Sequence, residues 1–177
     1  MTNKILIISD SHGNPLNINR ILDKIKGSLN YVIHLGDGTN DLAPELYRDL
    51  KIFCVAGNCD FGSPAPGVLR LSVNGRRIIG LHGHRHGVKS SADRICWFAA
   101  ESDADVCLFG HTHVPAAFYY GKALMLNPGS ISRSNLINIP TYGIIDICDG
   151  GTVEYSLVGI DKNNIRLLRY GEFYDGN

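Results

Sequence analysis

Three features that define whole classes of protein are missing from this chain of 177 residues. It has no long apolar run: the segment Ile5–Ile8 is far shorter than the roughly 7 to 15 residues of a signal-peptide core, and no other stretch could span a bilayer. It has no run of five or more like charges, and its 17 basic residues balance its 17 acidic ones. We therefore expect neither a membrane nor nucleic acid to be the main partner.

Cysteine pairing is the third absence. The five cysteines are scattered and include no Cys-x-x-Cys pair, so the sequence indicates neither a disulfide framework nor a zinc knuckle. Unpaired cysteines are typical of a reducing compartment, and we expect the protein to be cytoplasmic. The length fits one domain over residues 1–177, with residues 171–177 as a loosely held tail.

Short apolar runs alternate with helical patterns in the first half of the chain. The clearest helix is predicted over residues 15–26, with Asn14 as its N-cap and Gly27 as its stop. Two further helices are predicted over residues 44–50 and from residue 90 or 91 to 101. The predicted buried strands are Lys4–Ile8, Tyr31–Leu35, Ile52–Ala56 and Val106–Phe109. Strands that alternate with helices predict parallel β-α-β units.

Turn signals dominate the second half of the chain. The pair Asn74-Gly75, the strongest short hairpin signal, separates the predicted strands 69–73 and 76–81. The other predicted hairpins join residues 116–120 to 123–126 and residues 141–148 to 152–158. We expect the three hairpins to form a second, mainly antiparallel sheet. The predicted fold class is therefore α/β, a sandwich of two stacked sheets flanked by helices.

Five short polar packets each follow an apolar run directly. Together they supply carboxylates, an amide oxygen and imidazoles, which is the mixed ligand set of a two-metal site for phosphoryl chemistry. The seven candidate metal ligands are Asp10, His12, Asp37, Asn58, His82, His111 and His113.

The spacing of these packets predicts that their side chains meet. Residues two apart in an extended strand point the same way, so Asp10 can share an ion with His12, and His111 can share one with His113. Glycines beside the packets allow the backbone to turn sharply where strand meets loop. Open α/β sheets place their ligands outside the carboxyl ends of the strands, so we expect one metal centre at that edge.

Each packet has a structural alternative when it is considered alone. A histidine beside a strand is commonly a core or solvent-facing residue, and His34 fits a hydrogen-bonded core position. Asp10 and Asp37 could cap a helix or a turn, and Asn58 beside a glycine is ordinary turn chemistry. A nucleophilic Ser11 is disfavoured, because no Gly-x-Ser-x-Gly elbow surrounds it and its side chain would point away from the flanking ligands.

The order of the packets resembles the five-motif signature of the calcineurin-like metallophosphoesterases. The matching segments are Asp10-x-His12, Gly36-Asp37, Gly57-Asn58-Cys59-Asp60, His82-Gly83-His84 and Gly110-His111-x-His113. The small size and the segment 127–130, Asn-Pro-Gly-Ser, resemble the compact phosphodiesterase branch, which includes the phosphoesterase-like subunit of retromer. The resemblance covers residues 4–148 and implies the four-layer αββα fold of that superfamily.

The resemblance also implies a role for each candidate ligand. Asp37 would bridge two divalent ions. The implied ligands of the first ion are Asp10, His12 and His113, and those of the second are Asn58, His82 and His111. A hydroxide bridging the two ions would attack a small phosphodiester in line. Manganese is the expected ion, and iron, zinc, nickel and cobalt also suit mixed oxygen and imidazole ligands.

Cys59 departs from a common superfamily pattern, in which a histidine after the asparagine can protonate the leaving oxygen. Loss of a general acid costs about 10² to 10⁴ in rate for an alkoxide leaving group and little for an acidic one, so the cysteine implies phosphodiesters over ordinary monoesters. His84 is the catalytic candidate for the missing proton, and Arg85 joins Asn58 as a candidate phosphate contact; a solvated polar loop is the alternative. Asp60 could orient a ligand or cap its loop.

Two other functions are compatible with the sequence. A non-catalytic scaffold, like the retromer subunit, uses the same fold to bind partner proteins, although the complete ligand set argues against it. A phosphomonoesterase or a nuclease could use the same site, and the sequence does not rank these activities. A homo-oligomer is also possible.

Overall fold

The computed structural model of this protein describes residues 1–43, 47–132, 138–161 and 164–173. Within these ranges the two α-helices are α1 (Leu16–Ile25) and α2 (Asp93–Glu101). The strands are β1 (Asn3–Ile8), β2 (Tyr31–His34), β3 (Lys51–Cys54), β4 (Val68–Val73), β5 (Arg76–Leu81), β6 (Val106–Phe109), β7 (Pro115–Tyr120), β8 (Ala123–Pro128), β9 (Thr141–Ile147), β10 (Val153–Asp161) and β11 (Asn164–Phe173).

The strands form two stacked mixed sheets. The six-stranded sheet has the order β11-β10-β9-β1-β2-β3, and the five-stranded sheet has the order β4-β5-β6-β8-β7. Strands β1, β2 and β3 are parallel, as the alternation of strands and helices predicts. Strands β5, β6 and β8 are also parallel to one another, so the prediction of a mainly antiparallel second sheet is wrong for its centre.

Each sheet is covered on both faces, which gives four layers. In β1, Ile5 and Ile7 point into the core between the sheets, whereas Leu6 and Ile8 pack toward α1 on the outer face. Helix α2 covers the outer face of the five-stranded sheet in the same way. Burial on both faces explains why these strands read as continuous apolar runs. The predicted α/β sandwich flanked by helices is therefore confirmed.

The helix boundaries differ from the predicted ones at several positions. Pro15, rather than Asn14, is the N-cap of α1, and a 3₁₀ turn at Lys26–Ser28 follows its end. Helix α2 begins at Asp93, after a turn that ends the loop from β5. Of the helix predicted over residues 44–50, residues 44–46 lie outside the described part of the chain, and residues 47–50 form a turn.

The last hairpin and the C-terminal segment also differ from expectation. Strands β9 and β10 form the predicted hairpin, but β9 pairs with β1, so the hairpin extends the first sheet and not the second. The loose tail predicted over residues 171–177 is wrong for residues 171–173, because these belong to β11, which pairs with β10. Residues 174–177 lie outside the described part of the chain.

The described helices are both short. Helix α1 has 10 residues and α2 has 9, so neither could cross a membrane. The central apolar cluster takes side chains from both sheets, so the described residues share one core. A single domain over residues 1–177 stays a prediction.

Candidate metal centre

All seven candidate ligands lie in loops at one edge of the sandwich. Each loop follows the carboxyl end of a strand, and parallel strands open their carboxyl ends on the same side. The loops after β1, β2 and β3 carry Asp10, His12, Asp37 and Asn58, and those after β5 and β6 carry His82, His111 and His113. The centre therefore straddles the seam between the two sheets.

The first cluster consists of Asp10, His12 and His113. His113 Nε2 lies 3.1 Å from Asp10 Oδ1 and 3.3 Å from His12 Nε2. His12 Nε2 lies 3.9 Å from Asp10 Oδ1. Ligand atoms about 2.1 Å from one ion stand about 3 to 3.5 Å apart, so these three side chains could hold one divalent ion after a small adjustment.

The second cluster consists of Asn58, His82 and His111. His82 Nε2 lies 3.2 Å from Asn58 Oδ1 and 3.1 Å from His111 Nδ1. His82 is buried, His111 is half-buried and Asn58 is exposed, so this cluster reaches from the protein interior to the surface. Its atoms have the spacing of ligands around a second ion.

Asp37 lies between the two clusters. Its Oδ2 is 3.3 Å from His82 Nε2 in the second cluster and 4.0 Å from His12 Nε2 in the first. Its Oδ1 accepts a hydrogen bond of 2.7 Å from the Cys59 backbone N–H. That bond leaves Oδ2 as the oxygen able to bridge two ions.

The predicted pairing of residues two apart is wrong for His111 and His113. His111 Nδ1 faces His82, whereas His113 Nε2 faces Asp10, so the two rings serve different clusters. Strand β6 ends at Phe109, and both histidines have a left-handed backbone, with φ of 69° and 61°. The rule for extended strands does not apply to such a backbone.

Left-handed backbone is concentrated among the candidate ligands. Eight non-glycine residues in the described ranges have positive φ. Five of the eight are candidate ligands: Asp10, His12, Asp37, His111 and His113. Each such residue costs on the order of 1 kcal/mol or more, and strain of this kind clusters at functional sites. The fold thus holds these ligands against their local preference.

With a neutral His82 ring, several acceptor atoms of the site face one another. His82 Nδ1 donates to the Leu35 carbonyl at 2.7 Å, so a neutral ring turns the lone pair of Nε2 toward Asp37 Oδ2 and Asn58 Oδ1. Both of those oxygens are acceptors as well. Asp10 Oδ1 is buried and accepts no hydrogen bond. Acceptors that converge in this way cost free energy unless a positive charge joins them. A proton on His82 would supply part of that charge, and the residues also fit divalent ions.

The charges of the site shift the pKa values of its members. Burial raises the pKa of Asp10, but His113 and His82 outweigh it and lower that pKa below 3.8. Burial also raises the pKa of Asp37, and His82 again lowers it overall. Burial lowers the pKa of His82, but Asp37 and Asp10 raise it above 6.5. Burial and the charge on His82 lower the pKa of His111 to about 4. At neutral pH the carboxylates and His111 are therefore ready to ligate, while a charged His82 must first release a proton.

His84 and Arg85 lie beside the second cluster. The His84 ring centroid is 5.4 Å from that of His82 and 6.1 Å from that of His111, so the ring borders the second cluster. Burial and the charges on His82 and Arg85 lower the pKa of His84, which favours its neutral form. Arg85 is exposed and faces a small cleft of about 60 Å³ that His82, His84 and Gly67 also line.

Asp60 ties together the loops after β2 and β3. Its Oδ2 accepts hydrogen bonds from the N–H groups of Asp37 at 2.7 Å and Gly57 at 2.8 Å. Its Oδ1 accepts bonds from Gly38 at 2.8 Å and Thr39 at 2.9 Å. Gly57 has no space for a side chain, because a Cβ there would overlap the Asp37 carboxylate. Asp60 thus caps its loop and orients Asp37 at the same time, so the two roles predicted for it from the sequence are compatible.

A buried relay of Ser11, His34 and Asp41 joins the loops after β1 and β2. Ser11 Oγ lies 2.9 Å from His34 Nε2 and donates to Asp41 Oδ2 at 2.5 Å. Asp41 also accepts the Gly13 N–H at 2.8 Å, and His34 Nδ1 accepts the Gly36 N–H at 3.1 Å. His34 therefore carries its proton on Nε2 and donates to Ser11, which is the reverse of what a serine nucleophile requires.

The relay also explains the state of His34. Burial lowers its pKa to about 4, and nearby carboxylates offset only part of that shift. A neutral, fully hydrogen-bonded ring agrees with the predicted core position. The partners Ser11 and Asp41 were not predicted, because sequence spacing gives no signal for contacts between segments so far apart.

Asn127 and Ser130 support the ligand loops from β8. Asn127 Nδ2 donates to the Gly110 carbonyl and to Thr112 Oγ1, each at 3.0 Å. Ser130 Oγ donates to the Asp10 carbonyl at 2.8 Å. Both residues lie in the segment 127–130, which shows a family resemblance in the sequence but had no predicted structural role.

Comparison with known proteins agrees with this geometry. Residues 4–150 match a protein-family model, that of the calcineurin-like phosphoesterase superfamily domain. The chain is 35% identical over 155 residues to the probable metallophosphoesterase YsnB of Bacillus subtilis, covering 85% of this chain and 89% of that relative. It is 29% identical over 168 residues to phosphodiesterase YfcE of Escherichia coli, covering 81% and 87%. Vps29 of Cryptosporidium parvum has the same fold, with a TM-score of 0.82 at 20% identity over 97% of this chain and 98% of that one.

The chain therefore belongs to the calcineurin-like phosphoesterase superfamily. Within it, the chain falls in the small phosphodiesterase branch that includes Vps29. Membership makes this protein a phosphoesterase by family, and divalent metal ions are the cofactors that the family implies.

Proposed function

We propose that this protein is a dinuclear metal-dependent phosphodiesterase. The single observation that carries the proposal is the position of Asp37 Oδ2, within 3.3 Å of His82 Nε2 on one side and 4.0 Å of His12 Nε2 on the other. A carboxylate placed between two ligand clusters is suited to bridge two ions. The name of the E. coli relative supports the choice of a diester as substrate.

The two clusters divide the work of holding the ions. Asp10, His12 and His113 would hold one ion and Asn58, His82 and His111 the other. When bound, two divalent ions supply the positive charge that activates an attacking water and stabilises the phosphoryl oxygens. Manganese is our first choice for both positions, because carboxylate and amide oxygens favour harder ions and imidazole accepts most of them.

The remaining side chains would position the substrate. Asn58 is exposed at the mouth of the second cluster, where its amide can contact a phosphoryl oxygen. Arg85 can add a positive charge from the neighbouring cleft. His84 is the candidate proton donor, but its lowered pKa leaves little of the ring protonated at neutral pH. Burial and Asp37 raise the pKa of the Cys59 thiol, so Cys59 is a poor acid as well. Diesters with acidic leaving groups should therefore react best.

The decisive experiment compares Asp37→Asn with Asp23→Asn. Asp37→Asn removes the bridging charge at nearly constant size, so hydrolysis of bis(4-nitrophenyl) phosphate with manganese should fall at least about a thousandfold. Asp23 lies on α1 with its side chain 69% exposed, and its variant should behave like the wild type. Elemental analysis should find fewer ions per chain in Asp37→Asn alone. Unchanged manganese-dependent turnover in Asp37→Asn would contradict the bridging role.

The scaffold function is the second candidate, and the shared fold with Vps29 is the observation that favours it. The scaffold hypothesis predicts a chain without bound metal and inert toward aryl diesters across several divalent cations. A panel of a monoester, a cyclic nucleotide, DNA and an aryl diester, tested under one condition, separates diesterase, monoesterase and nuclease activities.

All five cysteines are free thiols, which suits the proposed cytoplasmic location.

A further inference from the structure

A cavity of about 440 Å³ opens beside the first cluster. Two candidate ligands, His12 and Asp37, line this cavity, and Asn40, Cys59 and Phe61 line it as well. The volume lies in the usual range of small-molecule pockets. A phosphoryl group held at the ligand clusters would therefore extend one of its ester arms into this cavity.

Phe61 stands at the rim of the cavity with 93% of its surface exposed. It lies in a tight turn, in which the Ser63 N–H donates a hydrogen bond of 3.2 Å to the Asp60 carbonyl. Gly62 supplies the left-handed backbone of this turn, with φ of 73°. The turn is fixed at both ends, because the Asp60 carboxylate accepts four backbone bonds and Ser63 Oγ lies 3.1 Å from Thr39 Oγ1. A solvent-exposed ring on an anchored turn beside a polar cavity is suited to stack on a ligand.

The polar groups of the cavity differ in their availability. The carboxylates of Asp41 and Asp60 are already engaged by the hydrogen bonds that fix the loops. Asn40 is exposed, and within the described part of the chain its side-chain amide makes no hydrogen bond. That amide offers one donor group and one acceptor group to a ligand. A planar ring with donors and acceptors along its edge would use both the Phe61 face and the Asn40 amide.

We propose that this cavity is a subsite for a nucleobase, so that the substrate class is a phosphodiester with a nucleoside as one ester arm. The inference rests on the proposed function, because it assumes that the phosphoryl group binds at the ligand clusters. Phe61 would stack on the base and Asn40 would bond its edge. Both would be specificity-determining residues that do not touch the reacting atoms.

The test uses three diesters that share the 4-nitrophenolate leaving group. Their other arms are thymidine (attached through its 5′ oxygen), phenyl and methyl, so the leaving group is constant. The arms differ in how strongly they activate the phosphorus, and comparing each ratio of kcat/KM between variant and wild type cancels that difference. In the wild type, kcat/KM should fall in the order thymidine, phenyl, methyl. In Phe61→Ala the ratio of kcat/KM for thymidine over methyl should fall about tenfold, the loss expected for one base–aromatic stack. Phe61→Tyr should restore that ratio.

Two further variants separate the contributions. Asn40→Ala should lower the ratio of thymidine over phenyl, because only the base has an edge that the amide can bond. Trp97→Ala removes another exposed aromatic residue, 59% exposed on α2, and should leave all ratios unchanged. Equal losses on all three substrates in Phe61→Ala would indicate a structural role and overturn the subsite, as would an unchanged ratio.

The failure of the subsite can be distinguished from the failure of the proposed function. If the wild type hydrolyses the methyl diester with manganese but Phe61→Ala keeps the thymidine ratio, the subsite is wrong and the phosphodiesterase stands. If the wild type hydrolyses none of the three, the phosphodiesterase is wrong, and calorimetry then tests the subsite alone. Thymidine 5′-monophosphate should bind more tightly than inorganic phosphate to the wild type, and Phe61→Ala should lose that difference; equal binding of the two probes would overturn the subsite.

Discussion

The two ligand clusters differ in how firmly the protein holds their imidazoles. In the second cluster, His82 is 1% exposed, and its Nδ1 is fixed by the Leu35 carbonyl at 2.7 Å. In the first cluster, the side chains of His12 and His113 are 36% and 27% exposed. A ligand whose second nitrogen is hydrogen-bonded is already oriented before an ion arrives. His82 is therefore oriented before an ion arrives, whereas the first cluster is open toward the cavity that Phe61 borders.

The largest expected effect comes from removing one imidazole from each cluster. His82 contacts Asp37 and also lies 4.0 Å from Asp10, so His82→Ala should remove the second ion, weaken the first, and lower kcat/KM at least about a thousandfold. His12→Ala should lose only the first ion. Elemental analysis after dialysis, together with aryl diester kinetics, checks both outcomes. If His12→Ala loses both ions and His82→Ala retains one, the comparison between the clusters is reversed.

A smaller effect should follow from breaking the relay that joins the loops after β1 and β2. Ser11→Ala removes the links to His34 and Asp41, so the first cluster and Asp37 should lose their fixed separation. We expect metal affinity or activity to fall about 10- to 100-fold, as for other groups that orient metal ligands. Ser72→Ala, at an exposed position of β4, is the matched control.

The relay prediction can be distinguished from a general loss of stability. Ser11→Thr keeps the hydroxyl and should recover part of the activity. Urea denaturation of the metal-free proteins measures the structural cost of each variant separately. Equal metal affinity in Ser11→Ala and Ser72→Ala would show that the relay does not position the ligands.

The smallest expected effect is a dependence of metal affinity on pH. The pKa of His82 is raised above 6.5, so its ring is protonated below that pKa and must lose the proton to bind an ion. Affinity at the second cluster should fall about tenfold per pH unit below the pKa of His82 and level off above it. Calorimetry in two buffers of different ionisation enthalpy should detect the released proton. No release below the pKa of His82 would contradict its assignment as a ligand.

The same shift acts in the opposite direction on the metal-free fold. A group whose folded pKa is raised above its unfolded value stabilises the fold fully below the unfolded pKa, here 6.5, and loses that contribution as pH rises through the folded pKa. The metal-free protein should therefore lose the contribution of His82 at the pH at which metal binding becomes strongest.

The strands were predictable to the extent that burial alone decides them. Val106–Phe109 is an uninterrupted apolar run, and its observed bounds are the predicted ones, because both of its faces are covered. The sheet that the last hairpin joins was not predictable in this way. Lys4 pairs with Asp146, and no local pattern reports a contact between residues so far apart in the chain.

The convergence of the candidate ligands was predictable, and their detailed geometry was less so. The seven side chains meet at the expected edge because parallel strands bring their carboxyl ends together. The left-handed backbone at His111 and His113 was not predictable, because histidine adopts it only in a small minority of cases and the surrounding structure decides where it occurs. Their separation into two clusters follows from that backbone.

The position of the centre on the seam between the sheets has a consequence for the molecule as a whole. Four of its candidate ligands come from one sheet and three from the other, so a bound ion would cross-link two layers whose interface is mainly apolar. Ligands that bind only the native chain stabilise it by an amount that grows with the logarithm of their free concentration relative to Kd, and so raise its denaturation midpoint. The thermal midpoint would then report how much ion the chain has taken up. A chelator would lower that midpoint by removing the links between the two sheets.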